Sequence, residues 1–419
     1  MSFNPLQERG IPLDRQLRNW SELNVTPYRK EDVHPFSRCR GIVANGIEVE
    51  AVMFSHNMAR HTLDPDIKRR LAMVRRVEAQ QQKAINWLIP GEETTLEVTI
   101  GYEQVAVDLT AWIARHETDP YLRQVYEFGV LEDFDHLYRY SNLYELMEGK
   151  HANWIVGELT EITPGRPTIF EHRHPFDEIR RPMTAVASDP QSILNALTVM
   201  SAEQQTMNYY MTIGNRFIEP LARGLYAEIG MIEEQHVSHY ESILDPSATW
   251  IENLLFHELN ECWIYYSFMQ TEPDPRVKQV YETHLAMEIE HLHIAAELMR
   301  EVERRDPEAL LPKSLDHVLT FEENKQWVRG ILDAQVHLTS KESDFVPVGS
   351  LGQEDRYFAY NSRVNQGGTP SEQVIEMNRQ ANGRDYRLET EGDNPVEGLR
   401  QGGDGRTRGY SDQHPGLQA

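Results

Sequence analysis

Apolar residues along this chain recur three and four positions apart far more often than they alternate, and that pattern predicts a protein built of helices. Helical periodicity runs over residues 94–117, 120–148, 191–218, 220–244, 248–271 and 275–304, with a shorter stretch over 321–339. Upstream, Asp64-Pro65 opens a helical stretch in which Ile67, Leu71, Val74 and Ile85 share a face. Alternation dominates in one place. The run "RGIVANGIEVEAVMF" sets Asn45-Gly46 between two β-branched segments, the pattern of a β-hairpin. Residues 1–37 carry scattered Pro and charge and read as an irregular arm, and Gly149 to Pro190 reads as a long connection. From Val346 the chain is rich in Gly, Gln, Asn and Arg, so an extended or disordered tail is expected. The expected organisation is an arm, β-hairpin and helix over 1–90, a bundle over 91–305, a helical segment over 306–345 and the tail over 346–419.

Within the bundle the sequence repeats. "DPYLRQVYEFGVLEDFDHL" from Asp119 and "DPRVKQVYETHLAMEIEHL" from Asp274 share eight of nineteen positions, and "EPLARGLYAEIGMIEEQHV" from Glu219 is a weaker third copy. Each copy holds an acid and a His three apart, which places both on one helix face: Asp133/His136, Glu233/His236 and Glu288/His291. Such pairs also arise by composition, as at Glu171/His174 and Glu290/His293. What separates the three copies is spacing. In each, a Pro lies thirteen residues before the acid and a Glu lies thirty before it: Glu103/Pro120, Glu203/Pro220 and Glu258/Pro275.

Pro suits the first turn of a helix, and an acid before it caps the helix, so each Pro marks the bend of an αα-hairpin. Counting from the bend at about 1.5 Å per residue brings the Glu of one helix level with the acid/His pair of the next. The hairpins are 94–148, 191–244 and 248–304. A Glu from each of two helices and an acid-x-x-His from each of the other two is the ligand set of di-iron and di-manganese carboxylate proteins. Over about residues 94–304 the chain resembles the ferritin-like superfamily, at the level of rubrerythrin-like helical hairpins. The resemblance implies an all-α, ferritin-like bundle of three αα-hairpins, with the small N-terminal β-hairpin and the extended C-terminal arm added.

The long Gly149–Pro190 connection can return along the bundle, whereas Leu244–Trp250 is short. The complete site is therefore expected from hairpins one and two: Glu103, Asp133, His136, Glu203, Glu233 and His236; hairpins one and three, the closer sequence match, are the alternative pairing. Asp133 departs from the usual Glu. Glu258, Glu288 and His291, with Glu261 as a candidate extra ligand, are left as a half-site that a two-fold-related subunit could complete. Tyr126, Tyr226 and Tyr281, each seven residues before an acid, stand on the ligand face as core residues or redox partners. Glu132, Asp135 and Glu234 are expected to be solvated rather than to support ligands. "EHRHP" from Glu171 is expected to be a solvated loop, and His56 and His61 surface or core residues.

Net charge adds a restriction: 66 acidic against 41 basic residues, a formal −25, argues against nucleic acid or an anionic membrane as partner. Two cysteines without CxxC spacing, and an N-terminus "MSFNPLQERG" without an apolar core, point to a cytoplasmic setting. The resemblance implies two Fe or Mn ions, or one of each, an oxidoreductase acting through O₂ or peroxide on a small molecule, and a homo-oligomer. A manganese-type catalase or peroxidase and a non-enzymatic iron-storage protein are the competing expectations.

Overall fold

Among the described residues five α-helices begin alike, with an acidic side chain capping a Pro-led first turn. A computed structural model describes residues 3–184 and 188–401. In it the α-helices are α1 (Trp20–Leu23), α2 (Pro35–Arg60), α3 (Pro65–Asn86), α4 (Thr95–His116), α5 (Pro120–Glu148), α6 (Asn153–Val156), α7 (Pro190–Ile213), α8 (Pro220–Glu241), α9 (Trp250–Thr271), α10 (Pro275–Leu298), α11 (Lys325–Gln335), α12 (Arg356–Val364) and α13 (Pro370–Asn382). The sheet is small: β1 (Leu338–Lys341) pairs antiparallel with β2 (Asp344–Pro347). Asp64, Asp119, Glu219 and Asp274 accept the first backbone N–H groups of α3, α5, α8 and α10. Thr94 with Glu97, and Thr249 with Glu252, close reciprocal caps on α4 and α9. The fold is all-α in class.

The chain divides into two compact units, and the division falls inside α7. The first comprises residues 1–92, 182–205 and 243–321. In it α2 packs on α3, α9 on α10, α2 on α9 and α3 on α10, giving four mutually packed helices. The N-terminal arm lies on α10: Ile11 N–H donates to Ala286 O at 2.7 Å, and the Gln16 amide donates to Met287 O at 3.3 Å. The second unit comprises 93–181, 206–242 and, among the described residues, 322–401. There α4 packs on α5, α5 on α8, and α13 on both α5 and α8. Its core joins Leu131, Phe134, Tyr140, Tyr210, Tyr226 and Val374. This partition replaces the single bundle expected over 91–305.

Two sequence expectations fail here for identifiable reasons. The expected β-hairpin at Asn45-Gly46 lies inside α2. Gly46 is there for close helix approach: a Cβ at this position would stand 2.8 Å from Gln205 Nε2 and 3.2 Å from Ser201 O on α7. Asn45 donates to the Gln205 amide oxygen and accepts from Gln82 at 2.7 Å, so it is a buried interhelical link rather than a turn residue. The expected tail is folded as far as residue 401, and only 402–419 lie outside the described residues. Its apolar residues Val374, Ile375, Tyr386 and Leu399 join the core, and polar anchors add to that hold. The Asn378 amide donates to Asn142 at 3.0 Å and Glu145 at 2.9 Å, and the Tyr357 hydroxyl donates to Ile169 O at 3.0 Å.

Gly129 of α5 faces Tyr240 of α8 so closely that a Cβ would sit 2.0 Å from the phenol oxygen. Gly129→Ala is therefore expected to destabilise by about 1–3 kcal/mol, overpacking outweighing the helix-propensity gain. Adding Tyr240→Phe should recover part of that loss. Thermal melts of the single and double variants check it, and an unchanged melting temperature for Gly129→Ala would contradict the close approach.

Candidate metal centre

The Glu-to-acid spacing brings side chains of α4, α5 and α8 to one level in the second unit. Glu103 comes from α4, Asp133 and His136 from α5, Glu233 and His236 from α8, and all five are buried. His136 Nδ1 lies 3.0 Å from Glu233 Oε1 and 3.9 Å from Glu103 Oε2. His236 Nδ1 lies 3.3 Å from Asp133 Oδ1 and 3.4 Å from Glu233 Oε2. The Glu233 carboxylate thus gives one oxygen to each imidazole. Ligand atoms of Asp133, Glu233 and His236 fall within 4.8 Å of one another, as do those of Glu103, His136 and Glu233. Glu203 is buried on α7, in the part of that helix assigned to the first unit.

Each imidazole turns its other nitrogen onto a buried acid. His236 Nε2 lies 2.9 Å from Glu132 Oε2, and His136 Nε2 lies 3.5 Å from Glu171 Oε2. Sequence reasoning expected both acids to be solvated, and both are buried. The reason is the returning connection, whose Arg166 and Arg173 reach back to α5. Arg173 binds Glu132 with two nitrogens, Nη2 at 2.8 Å, and Arg166 Nη1 lies 3.2 Å from it. Burial alone would raise the Glu132 pKa, but Arg173, His236 and Arg166 outweigh it and hold the carboxyl well below its usual range. Asp135, also expected in solvent, is buried against Arg139 at 2.7 Å and accepts the Gly165 N–H at 2.9 Å. Glu234 is exposed, as are His56 and His61.

Burial dominates the remaining titrations. It pushes Glu171 up to about 7, with Asp135 adding repulsion, and holds Glu103 well above the carboxylate range against the pull of His136. Glu233 is held low: burial would raise it, but the hydrogen bonds from His136 and His236 prevail. The tyrosines singled out by spacing are core residues. Tyr126 stacks on Tyr240, Tyr226 hydrogen-bonds Thr99 at 2.6 Å, and Tyr281 packs on Phe268 and Tyr265. The phenol that touches the cluster is Tyr210, which donates to Glu103. It stands seven residues after Glu203 on α7, an offset available in the sequence.

The expected half-site is placed in the first unit, and it faces other side chains of its own chain. Glu258, Glu261, Glu288 and His291 from α9 and α10 meet Glu48 of α2 and Glu78 and Gln81 of α3. This corrects the expectation that a second subunit would supply the other half. Glu48, Pro65 and Glu78 keep the repeat's two offsets, so α2–α3 is a fourth copy of the hairpin. It carries no acid/His pair, because Gln81 stands where the other copies have His. The hairpin pattern at Asn45-Gly46 hid its first helix as well.

Glu132 pairs with two buried guanidinium groups, of which Arg173 also holds Glu178, and it orients His236. Glu132→Ala is expected to lower stability by about 3–5 kcal/mol, the cost of leaving buried charges unpaired. Denaturant unfolding of the two proteins measures it, and a loss under 1 kcal/mol would show that the arginines find other partners.

Comparison with protein-family models, with curated proteins and with solved structures gives no match for this chain.

Proposed function

We propose that the protein is a ferritin-like dimetal carboxylate oxidoreductase. Two Fe or Mn ions, or one of each, would be held in the second unit, and O₂ or peroxide would be used there to oxidise a small molecule. The observation that carries this reading is the common orientation of the two histidines. If each Nε2–H donates to its buried acid, each Nδ1 presents a lone pair to carboxylate oxygens that are themselves lone-pair donors. Without a metal, a proton between Nδ1 and the Glu233 carboxylate reconciles these groups; a metal ion would take that proton's place, and a ligand imidazole whose far nitrogen is held by a carboxylate is the usual arrangement at metal centres. The donor set fits: imidazole and carboxylate without thiolate suit Fe and Mn. Glu103 Oε2 is buried and makes no hydrogen bond among the described residues.

Glu103, Asp133, His136, Glu233 and His236 would hold the metal. Bound metal would supply the redox chemistry that no side chain here can perform alone. The chain's own part is orientation. Glu132, kept ionised by Arg166 and Arg173, and Glu171 fix the imidazole tautomers. Tyr210 holds one oxygen of Glu103 and leaves the other directed at the cluster.

One feature favours small-molecule oxidation over iron storage. The second unit contains a cavity of about 390 Å³ lined by His172, Ala227, Met231, Ile232, Tyr360 and Val364, among others. That size lies within the range of small-ligand pockets. Ile232 and His172 are chain neighbours of Glu233 and Glu171, so an occupant would lie beside the elements that carry the ligands. Among the described residues no helix is long and apolar enough to cross a membrane.

Metal analysis of protein purified without chelator is expected to show Fe or Mn at about two per site. Changing His136 and His236 together to Ala should remove most of it from this unit, and Glu171→Ala should weaken affinity about 10–100-fold. Oxygen-electrode assays separate the chemistries: consumption of O₂ with an electron donor supports an oxidase or oxygenase, and O₂ release from peroxide alone supports a catalase. Full metal retention in the double variant would remove the basis of this function.

A further inference from the structure

The first unit repeats the arrangement of the second with two ligand exchanges. Position by position, Glu48 corresponds to Glu103, Glu78 to Asp133, Glu258 to Glu203, Glu288 to Glu233 and His291 to His236. The supporting contacts correspond too. Tyr265, seven residues after Glu258, donates to Glu48 as Tyr210 donates to Glu103. His291 Nδ1 lies 2.9 Å from Glu288 Oε2 and 3.9 Å from Glu258 Oε2, while its Nε2 is 2.7 Å from the Gln16 side-chain oxygen. Gln81, in the place of His136, donates to the other oxygen of Glu288. The second exchange adds a carboxylate: Glu261, at the offset where the second hairpin has Thr206.

We propose that the first unit is a second, separate binding site for divalent cations, with a ligand set harder than that of the second unit. Ligand atoms of Glu78, Glu258 and His291 lie within 4.8 Å of one another, and so do those of Glu48, Glu261 and Glu288. The first group offers nitrogen and oxygen, the second oxygen alone. Five carboxyl groups and one imidazole converge here, and Arg18, whose guanidinium lies 3.3 Å from His284, is the nearby basic side chain acting on Glu48. Independent of that crowding, Glu48 Oε2, Glu78 Oε2, Glu258 Oε2, Glu261 Oε2 and Gln81 Oε1 are buried with no hydrogen-bond partner among the described residues. Unsatisfied polar atoms are costly in a core, and four of these five oxygens belong to the carboxyl groups whose ligand atoms converge in the two groups above, which marks a position built for cations. Carboxylate and carbonyl oxygen favour Mn²⁺, Mg²⁺ or Ca²⁺, whereas imidazole nitrogen favours Fe²⁺ and the later metals. Replacing a histidine by Gln81 and adding Glu261 moves the site toward Mn²⁺. Because Gln16, a neutral amide, stands behind His291 where Glu132 stands behind His236, the imidazole here is also the weaker donor.

The test uses the full-length chain, stripped of metal and titrated with Mn²⁺ while free ion is followed by electron paramagnetic resonance. The variant with His136 and His236 both changed to Ala removes the site of the proposed function and isolates the first unit. That variant is expected to keep binding about two Mn²⁺ per chain, and adding Glu261→Gln should weaken the tighter of the two at least tenfold. Glu261→Gln removes one charge from a crowded acidic cluster, so the fold should tolerate it, and circular dichroism verifies that. Gln81→His should restore preference for Fe²⁺ over Mn²⁺ relative to the parent. If the double-His variant binds no Mn²⁺ while folded, the second site is overturned and the function proposed for the second unit stands. If binding survives but Glu261→Gln leaves the affinity unchanged, the assigned ligand set is overturned. If the double-His variant loses no metal at all relative to wild type, the reading of the second unit fails and the first-unit site remains.

Discussion

Burying carboxyl groups is the constraint around which this molecule is organised. An ionised carboxylate removed from water must find a cation, a proton or a dense set of donors, and each unit gathers several at one level of its helices. The protein answers differently at different places. Glu132 and Asp135 are met by fixed guanidinium groups, Arg166, Arg173 and Arg139. Glu103 and Glu48 accept from tyrosines, and burial drives both well above the normal carboxylate range. Glu233 and Glu288 lean on imidazoles and are held low. Arginines thus pair with the acids behind the cluster, while the acids inside it meet histidines, tyrosines, an amide and one another.

That division of labour explains much of the surrounding architecture. The connection after α5 carries Arg166, Glu171 and Arg173 to the far side of the two histidines, so a segment without regular structure does the orienting. Gly165 lets it approach α5: a Cβ there would lie 2.6 Å from Leu131 O and 2.7 Å from Asp135 N. In the first unit the N-terminal arm takes the corresponding place, delivering Gln16 to His291. A carboxylate behind one histidine and an amide behind the other give the two imidazoles different basicity, although their own helices are alike. Under the proposed function, this is how two copies of one hairpin pair would come to prefer different metals.

Much of the helical scaffold was legible because the signals are local. Asp-Pro and Glu-Pro starts set α5, α8 and α10 to the residue, and the offsets of seventeen and thirty followed from helix rise alone. The acid/His rows on one face were equally visible. The fourth copy shows the limit of a search by residue type, since a single His-to-Gln exchange concealed a hairpin whose Pro and Glu offsets were intact. Gly46 shows another limit. Asn-Gly between β-branched residues satisfies every local rule for a turn, yet helix packing overrode local preference, and the glycine serves contact with α7.

What the sequence determined by itself is the hairpin unit: its length, its bend, and the face that carries Glu, acid and His, all functions of residues within one helix or two adjacent ones. Which hairpins face which was decided by tertiary structure, for pairing depends on apolar surfaces far apart in the chain. Thus α2–α3 meets α9–α10 across an intervening stretch of more than 150 residues. The burial of Glu132, Asp135, Glu171 and Gln16 was likewise decided only in three dimensions. A polar or charged residue reads as solvated until the fold brings a partner to it, and those partners, Arg166 and Arg173 for Glu132, His136 for Glu171, and His291 for Gln16, lie on other segments of the chain.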